Sequence, residues 1–114
     1  MIDFKKIRWI DQWNVGDVAV WVSVAKVERR WRRDEGLYLS PEVCKRQTRY
    51  LRFGEWIQTN SEVWMPVITL MDDGAISFTD GRHRFAWFRD HGLRTMQVAT
   101  SRGKGAALRR AVGR

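Results

Sequence analysis

Residues 76–100 read ISFTDGRHRFAWFRDHGLRTMQVAT, and this stretch decides the fold. Apolar and polar residues alternate in its first four positions, which predicts a strand that ends at Asp80. Gly81 then permits a tight turn, and the aromatic-rich run after it predicts a helix closed by Gly92. Residues 96–100 return to a strand pattern. The stretch therefore predicts a strand–turn–helix–strand unit of the βαβ-like kind.

The segments before this unit predict further strands and a helix. Residues 18–24 (VAVWVSV) form an apolar, β-branched run that is typical of a buried strand. Residues 25–34 predict a short helix. Residues 64–70 predict one strand with Pro66 at its start or on an edge, and the DDG sequence at 72–74 predicts a hairpin turn.

A second helical segment is predicted to begin at Ser40 and Pro41, because serine is a good N-cap and proline a good first helical residue. Gly54 interrupts the pattern and predicts two helices, and Asn60 closes the segment. The expected apolar side holds Val43, Cys44, Tyr50, Leu51, Phe53 and Ile57.

These elements predict one α+β domain over residues 1–100, with a mixed sheet of about four short strands and helices packed on it. Residues 101–114 carry five cations and no acid, and we expect a flexible basic tail with a short helix at 106–112. The net charge is +8, so subtracting the tail leaves +3 for the body. Bulk charge is therefore a weak indicator of a polyanionic partner.

Composition excludes several classes of protein. The single cysteine, Cys44, rules out an intrachain disulfide, and two histidines eight residues apart imply no metal site. No apolar run reaches the roughly 18 residues of a membrane helix, so we expect no membrane insertion and a cytoplasmic location. Trp9 and the DQW run at residues 11–13 favour packing or interface roles.

The DGRHR turn at residues 80–84 carries the best functional signal. Its helix opens with Arg82, His83 and Arg84, although the positive end of a helix normally attracts acids. A phosphate there would accept backbone N–H groups and bidentate guanidinium bonds together. The turn therefore predicts an anion site at residues 81–84. The alternative is that Asp80 caps the helix and the arginines are solvated or paired with nearby acids.

The run at residues 76–99 resembles the signature of the ParB/sulfiredoxin superfamily, and in particular its plasmid fertility inhibition branch, which contains oncogenic suppression proteins. The upstream sequences VSVAKVERRWRRDEGLYL and MPVITL are also similar to that branch, so the resemblance covers residues 18–100. It implies a small ParB/sulfiredoxin-like fold and suppression of conjugative DNA transfer. The implied partners are DNA, a nucleotide or proteins of the conjugative transfer machinery.

The resemblance also limits the chemistry. Sulfiredoxins place a catalytic cysteine where this chain has Arg82, so the chain is not a sulfiredoxin. ParB proteins hold nucleotide phosphates with an arginine-rich version of this turn; Gly81 and Arg84 fit that pattern, while His83 replaces an arginine. By this resemblance a nucleoside triphosphate with a divalent cation is the implied cofactor, if there is one.

Two basic surfaces are further candidates for nucleic-acid binding, because cations track phosphates and an exposed tryptophan stacks on bases. The first surrounds Trp31 and the second adjoins Trp56. In each case the alternative is a solvated helix face, with Trp31 in the core. The cations concerned are Lys26, Arg29, Arg30 and Arg33 in the first surface and Lys45, Arg49 and Arg52 in the second.

For catalysis the leading acid/base candidates are Asp80 and His83, with Glu55 behind them; the acids at 72–73 suit a turn better. His83 should be held neutral between two arginines. Three functions follow as hypotheses: a fertility-inhibition-like factor, a nuclease or NTP-hydrolysing enzyme that uses the turn, and a non-catalytic nucleic-acid-binding protein.

Overall fold

The computed structural model describes residues 2–12 and 16–114, so Trp13 lies outside the described residues. The strands are β1 (Arg8–Ile10), β2 (Asp17–Ser23), β3 (Glu62–Trp64), β4 (Val67–Leu70), β5 (Ile76–Asp80) and β6 (Thr95–Ser101). The helices are α1 (Val24–Trp31), α2 (Pro41–Cys44), α3 (Thr48–Trp56), α4 (Arg82–Asp90) and α5 (Gly105–Val112). Short 3-10 turns occupy Phe4–Lys6, Ile57–Thr59 and Arg102–Lys104.

Within the described residues, the strands form a mixed four-stranded sheet in the order β2-β6-β4-β5 and a parallel pair of β1 with β3. Strand β6 runs antiparallel to β2 and parallel to β4, and β4 is antiparallel to β5. The predicted α+β class, with helices on a mixed sheet, is confirmed. Helix α4 nevertheless connects two antiparallel strands, β5 and β6, with β4 between them. The unit is therefore not a simple parallel βαβ crossover.

The hairpin between β4 and β5 is confirmed. Gly74 has φ +86, and the Asp73 carboxylate accepts a hydrogen bond from the Ala75 N–H at 2.9 Å. The strand expected at residues 64–70 is shorter: β4 begins at Val67, directly after Pro66, which agrees with the predicted place of Pro66 at a strand start, whereas Trp64 belongs to β3. Proline lacks the N–H that a continuous strand would need there. Its carbonyl instead accepts a hydrogen bond from the Ala99 N–H of β6 at 2.9 Å.

The core lies between the sheet and the helices, and α1 contributes Val27 and Trp31, both fully buried. Ser23 caps α1 by accepting a hydrogen bond from the Lys26 N–H. The Trp31 ring packs 4.6 Å from the Phe78 ring and 5.6 Å from that of Phe85, measured between centroids. Base stacking by Trp31 is therefore wrong, because no face of the indole reaches the surface.

The segment at residues 40–60 begins as predicted, with Ser40 as N-cap and Pro41 in the first turn. The break between helices lies at residues 45–47 rather than at Gly54, which sits inside α3. Glycine is required there because a Cβ would lie 2.7 Å from the Trp87 indole nitrogen. Val43 and Leu51 are about half exposed, at 49% and 53%, so their assignment to the buried side is also wrong.

The flexible tail expected at residues 101–114 is replaced by an ordered packing arrangement. Helix α5 buries Leu108 and Val112 completely in the core, four residues apart on one helix face. Gly113 bridges to Val22 of β2, and the Arg114 guanidinium lies 4.1 Å from the Trp21 ring centroid. These contacts explain the difference, because the two large apolar side chains are packed by β2 rather than by their own segment. No helix in the described residues is long and apolar enough to span a membrane.

Candidate phosphate-binding cleft

The N-terminus of α4 presents unpaired backbone donors beside a glycine in the left-handed conformation. Gly81 is the N-cap with φ +84, and no side chain caps the helix. Its carbonyl accepts the first helical hydrogen bond, from the Phe85 N–H at 2.9 Å. Arg82, His83 and Arg84 occupy the first turn, which contains no acid. The partial positive charge at the N-terminus of this nine-residue helix is therefore not balanced by any acidic residue in its first turn.

This helix end opens into a cleft of about 370 Å³. Arg49 of α3 joins the first-turn residues here and contributes a third guanidinium. Asp80 is the one acid among the lining residues, so with a neutral imidazole three cations and one anion give +2. The lining residues are Leu37, Arg49, Phe53, Phe78, Thr79, Asp80, Gly81, Arg82, His83 and Arg84.

Asp80 does not cap the helix but pairs with Arg84 one turn later, at 3.1 Å between Oδ2 and Nη2. The Gln12 amide nitrogen donates to the same carboxylate oxygen at 2.6 Å. Burial by itself raises the pKa of Asp80. These two hydrogen bonds, the charge of Arg84 and the Gly81 backbone N–H together outweigh burial and leave the pKa below its ordinary value. The Asp80 carboxylate is therefore ionised and hydrogen-bonded to Arg84 and Gln12. Because its pKa is lowered, it is a poor general base.

The two first-turn arginines are positioned by backbone carbonyls as well. The Arg84 Nε donates to the Trp64 carbonyl at 3.2 Å, and its side chain is only 20% exposed. The Arg82 Nη1 donates to the Leu37 carbonyl at 2.9 Å. Each guanidinium keeps further N–H groups that these bonds do not use, because a guanidinium carries five donors. The arginines are thus oriented by the protein and still able to donate to a ligand.

His83 is half-buried beside these cations. Burial lowers its pKa first, and the charges of Arg82 and Arg49 lower it further. The direction agrees with the sequence prediction, but Arg49 takes the place of Arg84 as the second charge. Its Nε2 is buried and makes no hydrogen bond to any described residue. A buried ring nitrogen normally has a partner. His83 is therefore a neutral imidazole with unused hydrogen-bonding capacity at the edge of the cleft.

The cations of α1 and of the residues just after it do not line the cleft, and three of them donate hydrogen bonds to backbone carbonyls elsewhere in the chain. Arg30 donates to the Gly74 carbonyl at 2.9 Å, and Arg33 donates to the Asp73 carbonyl at 3.2 Å. Lys26 donates to the Gly113 carbonyl at 3.3 Å. Arg29 is exposed and does not line the cleft. Arg30 and Arg33 thus bind the hairpin turn and Lys26 binds the C-terminal residues, which is a structural role that the sequence analysis did not foresee.

The second predicted basic surface is divided by the structure. Arg49 lines the cleft, whereas Lys45 and Arg52 are exposed and do not line it. Glu55, named as a further acid/base candidate, is exposed and outside the cleft. Of this predicted surface, only Arg49 therefore lies at the DGRHR turn, and Lys45 and Arg52 do not.

Sequence reasoning missed a buried polar network at the C-terminal end of α4. Arg89 donates to the Glu28 carboxylate at 3.0 Å, to the Asp90 carboxylate at 2.9 Å and to the Leu39 carbonyl at 2.6 Å. Both ion pairs are only about 10% exposed. The sequence gives a partial indication of this network, because Arg89 directly follows four apolar residues of α4 that are all buried. A charge that directly follows a helical turn buried on every side must be paired if it is buried as well.

Cys44 belongs to this network, as its thiol donates to the Asp90 carboxylate at 3.1 Å. Burial, reinforced by Asp90, raises the pKa of Cys44 to about 11. The thiol therefore stays protonated near neutral pH and is a weak nucleophile. Among residues 2–12 and 16–114, no group of three or more His, Cys, Asp or Glu side chains is arranged to hold a metal ion.

Comparisons with known proteins identify a shared fold. No protein-family model matches the chain, and no curated protein matches its sequence. The crystal structure of an oncogenic suppression activity protein, described as a plasmid fertility inhibition factor and solved as a gold(I) cyanide derivative, superposes with a TM-score of 0.73. The two sequences are 22% identical, and the match covers 86% of this chain and 57% of the other. The chain therefore spans little more than half the length of that protein and has its fold over the matched region.

Proposed function

We propose that this protein binds a phosphate group of a nucleotide or nucleic acid at the DGRHR turn and acts as a fertility-inhibition-like factor that suppresses conjugative DNA transfer. The observation that carries the binding proposal is the convergence of Arg49, Arg82 and Arg84 on the N-terminus of α4. Three guanidinium groups and one acid leave this cleft with excess positive charge.

A bound phosphate explains why the protein tolerates this arrangement. Cations near a helix N-terminus are unfavourable by about 0.3–1 kcal/mol each, and an anion removes the repulsion. The free N–H groups of the first turn and the spare N–H groups of the arginines can all donate to its oxygens. His83 adds a buried nitrogen whose hydrogen-bonding capacity no described residue uses.

The biological part of the proposal has two supports. The sequence at residues 76–99 resembles the fertility inhibition branch of the ParB/sulfiredoxin superfamily, and the fold is shared with a plasmid fertility inhibition factor. By this proposal the cleft recognises phosphate groups of DNA or of a nucleotide at the transfer apparatus. Binding to proteins of that apparatus would act together with this recognition.

The binding part is tested by calorimetric titration of the protein with ATP and with inorganic pyrophosphate. Arg49→Ala is the most informative variant, because Arg49 is exposed and makes no described hydrogen bond within the chain. We expect this substitution to weaken the binding of both ligands by roughly tenfold or more, because one charge-assisted hydrogen bond is lost. Arg46→Ala is the control, since Arg46 is an exposed arginine just before α3 that does not line the cleft. Equal affinities in wild type and both variants would refute the site.

The biological part is tested by conjugation. Donor cells that express the wild-type protein should transfer a plasmid less often than cells without it. Arg49→Ala should restore transfer, and Arg46→Ala should suppress it as the wild type does, at matched protein levels. Transfer that is unaffected by the wild-type protein would reject the fertility inhibition role without touching the binding result.

A second candidate function is hydrolysis of the bound phosphate ester, as a ParB-like nuclease or NTPase with a divalent cation. The lowered pKa of His83 favours it, because a neutral imidazole can accept a proton at neutral pH. The engaged state of Asp80 does not favour a catalytic role for that residue. Release of phosphate from ATP, or cleavage of DNA, should require Mg²⁺ and be lost in His83→Gln. Activity that survives this substitution would exclude His83 as the base.

A further inference from the structure

Two exposed tryptophans lie beside the phosphate-binding cleft. Trp56, at the end of α3, is 42% exposed, and Trp64, at the end of β3, is 55% exposed. Together with Phe53, Glu62 and Arg84 they line a groove of about 350 Å³. Large apolar side chains gathered at an exposed groove mark a binding surface more often than isolated ones do.

The groove and the cleft are adjacent. Phe53 and Arg84 line both of them. The Arg84 guanidinium donates to Asp80 in the cleft and to the backbone carbonyl of Trp64 in the groove, at 3.1 and 3.2 Å. Arg84 therefore stands at the boundary, where one ligand could place a phosphate on one side and an aromatic group on the other.

The chemistry of the groove suits a nucleobase rather than a second phosphate. The Trp56 ring packs against that of Phe53, with centroids 5.7 Å apart and planes inclined by 32°. The one charged group that the groove adds is the carboxylate of Glu62, which pairs with Arg8 at 3.4 Å. A carboxylate repels a phosphate but accepts hydrogen bonds from the amino and imino groups of a base.

The surface of α3 extends this arrangement beyond one nucleotide. Arg49, Arg52 and Trp56 are spaced three and four residues apart, so they share one exposed face of the helix. Arg49 lines the cleft and Trp56 lines the groove, which places Arg52 between them along the helix. A row of cations that ends in an exposed aromatic ring is the pattern with which proteins follow the backbone of a single strand.

We propose that the Trp56–Trp64 groove is a base-stacking site for single-stranded nucleic acid whose backbone phosphate occupies the adjacent cleft. The proposal rests on the phosphate-binding function proposed above and names its ligand. A single strand is required because bases in a duplex are stacked on each other and their faces are not available to an indole. Stacking of this kind is tolerant of sequence, so the site should bind different bases with similar affinity.

The test compares the twelve-residue oligonucleotide dT12, its duplex with dA12, dTMP and inorganic pyrophosphate as ligands in anisotropy, competition and calorimetric assays. We expect dT12 to bind more tightly than the duplex or dTMP. Trp64→Ala and Trp56→Ala should each weaken dT12 by roughly tenfold, whereas Trp64→Phe and Trp56→Phe, which keep an aromatic face, should retain most of the affinity. Leu51→Ala is the matched control, because Leu51 is an equally exposed apolar residue of α3 outside the groove.

Pyrophosphate separates this proposal from the one on which it rests. Its affinity should be unchanged in the tryptophan variants, since their side chains do not line the cleft. If pyrophosphate binds and dT12 is insensitive to both alanine variants, the stacking site is refuted and the phosphate site stands. If the alanine variants lose the same affinity for dTMP as for dT12, the ligand of the groove is a single nucleotide and the proposal of a single strand is refuted. If neither pyrophosphate nor dT12 binds the wild type, both proposals fail.

Discussion

Gly81 packs against Pro66 so closely that a Cβ built on Gly81 would lie 2.8 Å from the Pro66 Cα. The contact joins the N-terminus of α4 to the proline that separates β3 from β4. Gly81 also has φ +84, a backbone conformation that other residues adopt only with strain. The edge of the cleft is therefore fixed by two constraints that only glycine satisfies.

Gly81→Ala should destabilise the protein by more than the strain of its dihedral angle alone. Gly92 is the matched control, because it has φ +85 but no atom lies within 4 Å of the position that a Cβ would take there. We expect Gly92→Ala to lower the free energy of unfolding by about 1–2 kcal/mol, and Gly81→Ala by a further 1–3 kcal/mol or so, from the clash. Urea denaturation measures both. Equal losses would show that the Pro66 contact relaxes without cost.

Arg89→Met should be among the most damaging substitutions, because it leaves the carboxylates of Glu28 and Asp90 buried without their main partner. Removal of one member of a buried ion pair costs about 3–5 kcal/mol. Arg32→Met is the control, since Arg32 also pairs with Glu28 but its side chain is 65% exposed. That variant should lose much less stability in the same urea experiment, because solvent screens the ion pair of an exposed guanidinium. If the two variants lost similar amounts of unfolding free energy, the buried ion pairs of Arg89 would not be what stabilises the protein.

The lowered pKa of His83 predicts a loss of stability at mildly acid pH. Above about pH 6.5 the imidazole is neutral in both the folded and the unfolded chain and contributes nothing. Below it the unfolded chain takes up a proton that folded His83 resists, so the free energy of unfolding falls until the lowered pKa is passed. Urea curves at pH 7, 6 and 5 should show this slope in wild type and a smaller one in His83→Gln. Identical slopes would contradict the buried, neutral state of His83.

A phosphate in the cleft should raise the pKa of His83, because an anion opposes the influence of Arg82 and Arg49. The imidazole resonances report this in an NMR titration with and without saturating pyrophosphate. His91 serves as the internal reference, since it stacks on Trp87 at 3.8 Å and does not line the cleft. An unchanged pKa of His83 at saturation would place the bound anion elsewhere.

Leu108→Ala should destabilise the protein by about 2–5 kcal/mol, as expected for a leucine that is completely buried in a core. Leu51→Ala provides the comparison, because Leu51 is 53% exposed and should change the free energy of unfolding by less than about 0.5 kcal/mol. Thermal or urea unfolding distinguishes them. If Leu108→Ala were as mild as the control, the C-terminal helix would not be part of the folded domain.

Local patterns were sufficient to predict the elements that local chemistry controls. The strand–turn–helix–strand order of residues 76–100, the Ser40 cap and the turn at Gly74 are all confirmed. Each depends on a residue type whose effect extends over one or two turns of chain. The left-handed conformation of Gly81 was predictable for the same reason.

Several of the errors concern contacts between distant segments. Leu108 and Val112 are too few to form a core of their own, and only their packing with β2 makes residues 105–112 an ordered helix. Arg49 enters the cleft because α3 packs on α4, a relationship that helical periodicity does not encode. The tryptophan groove was not predicted either, because Trp64 lies eight residues beyond Trp56 in a different element.

The position of β2 in the sheet has a consequence for the synthesis of this protein. Strand β2 pairs with β6 and supports α5, so its partners are translated more than seventy residues after it. A nascent chain that has not yet released residue 112 from the ribosome exposes Val20 and Val22, which are buried in the finished domain. Pairing of β2 must therefore wait until β6 has been translated, and burial of its apolar face is completed only when α5 follows.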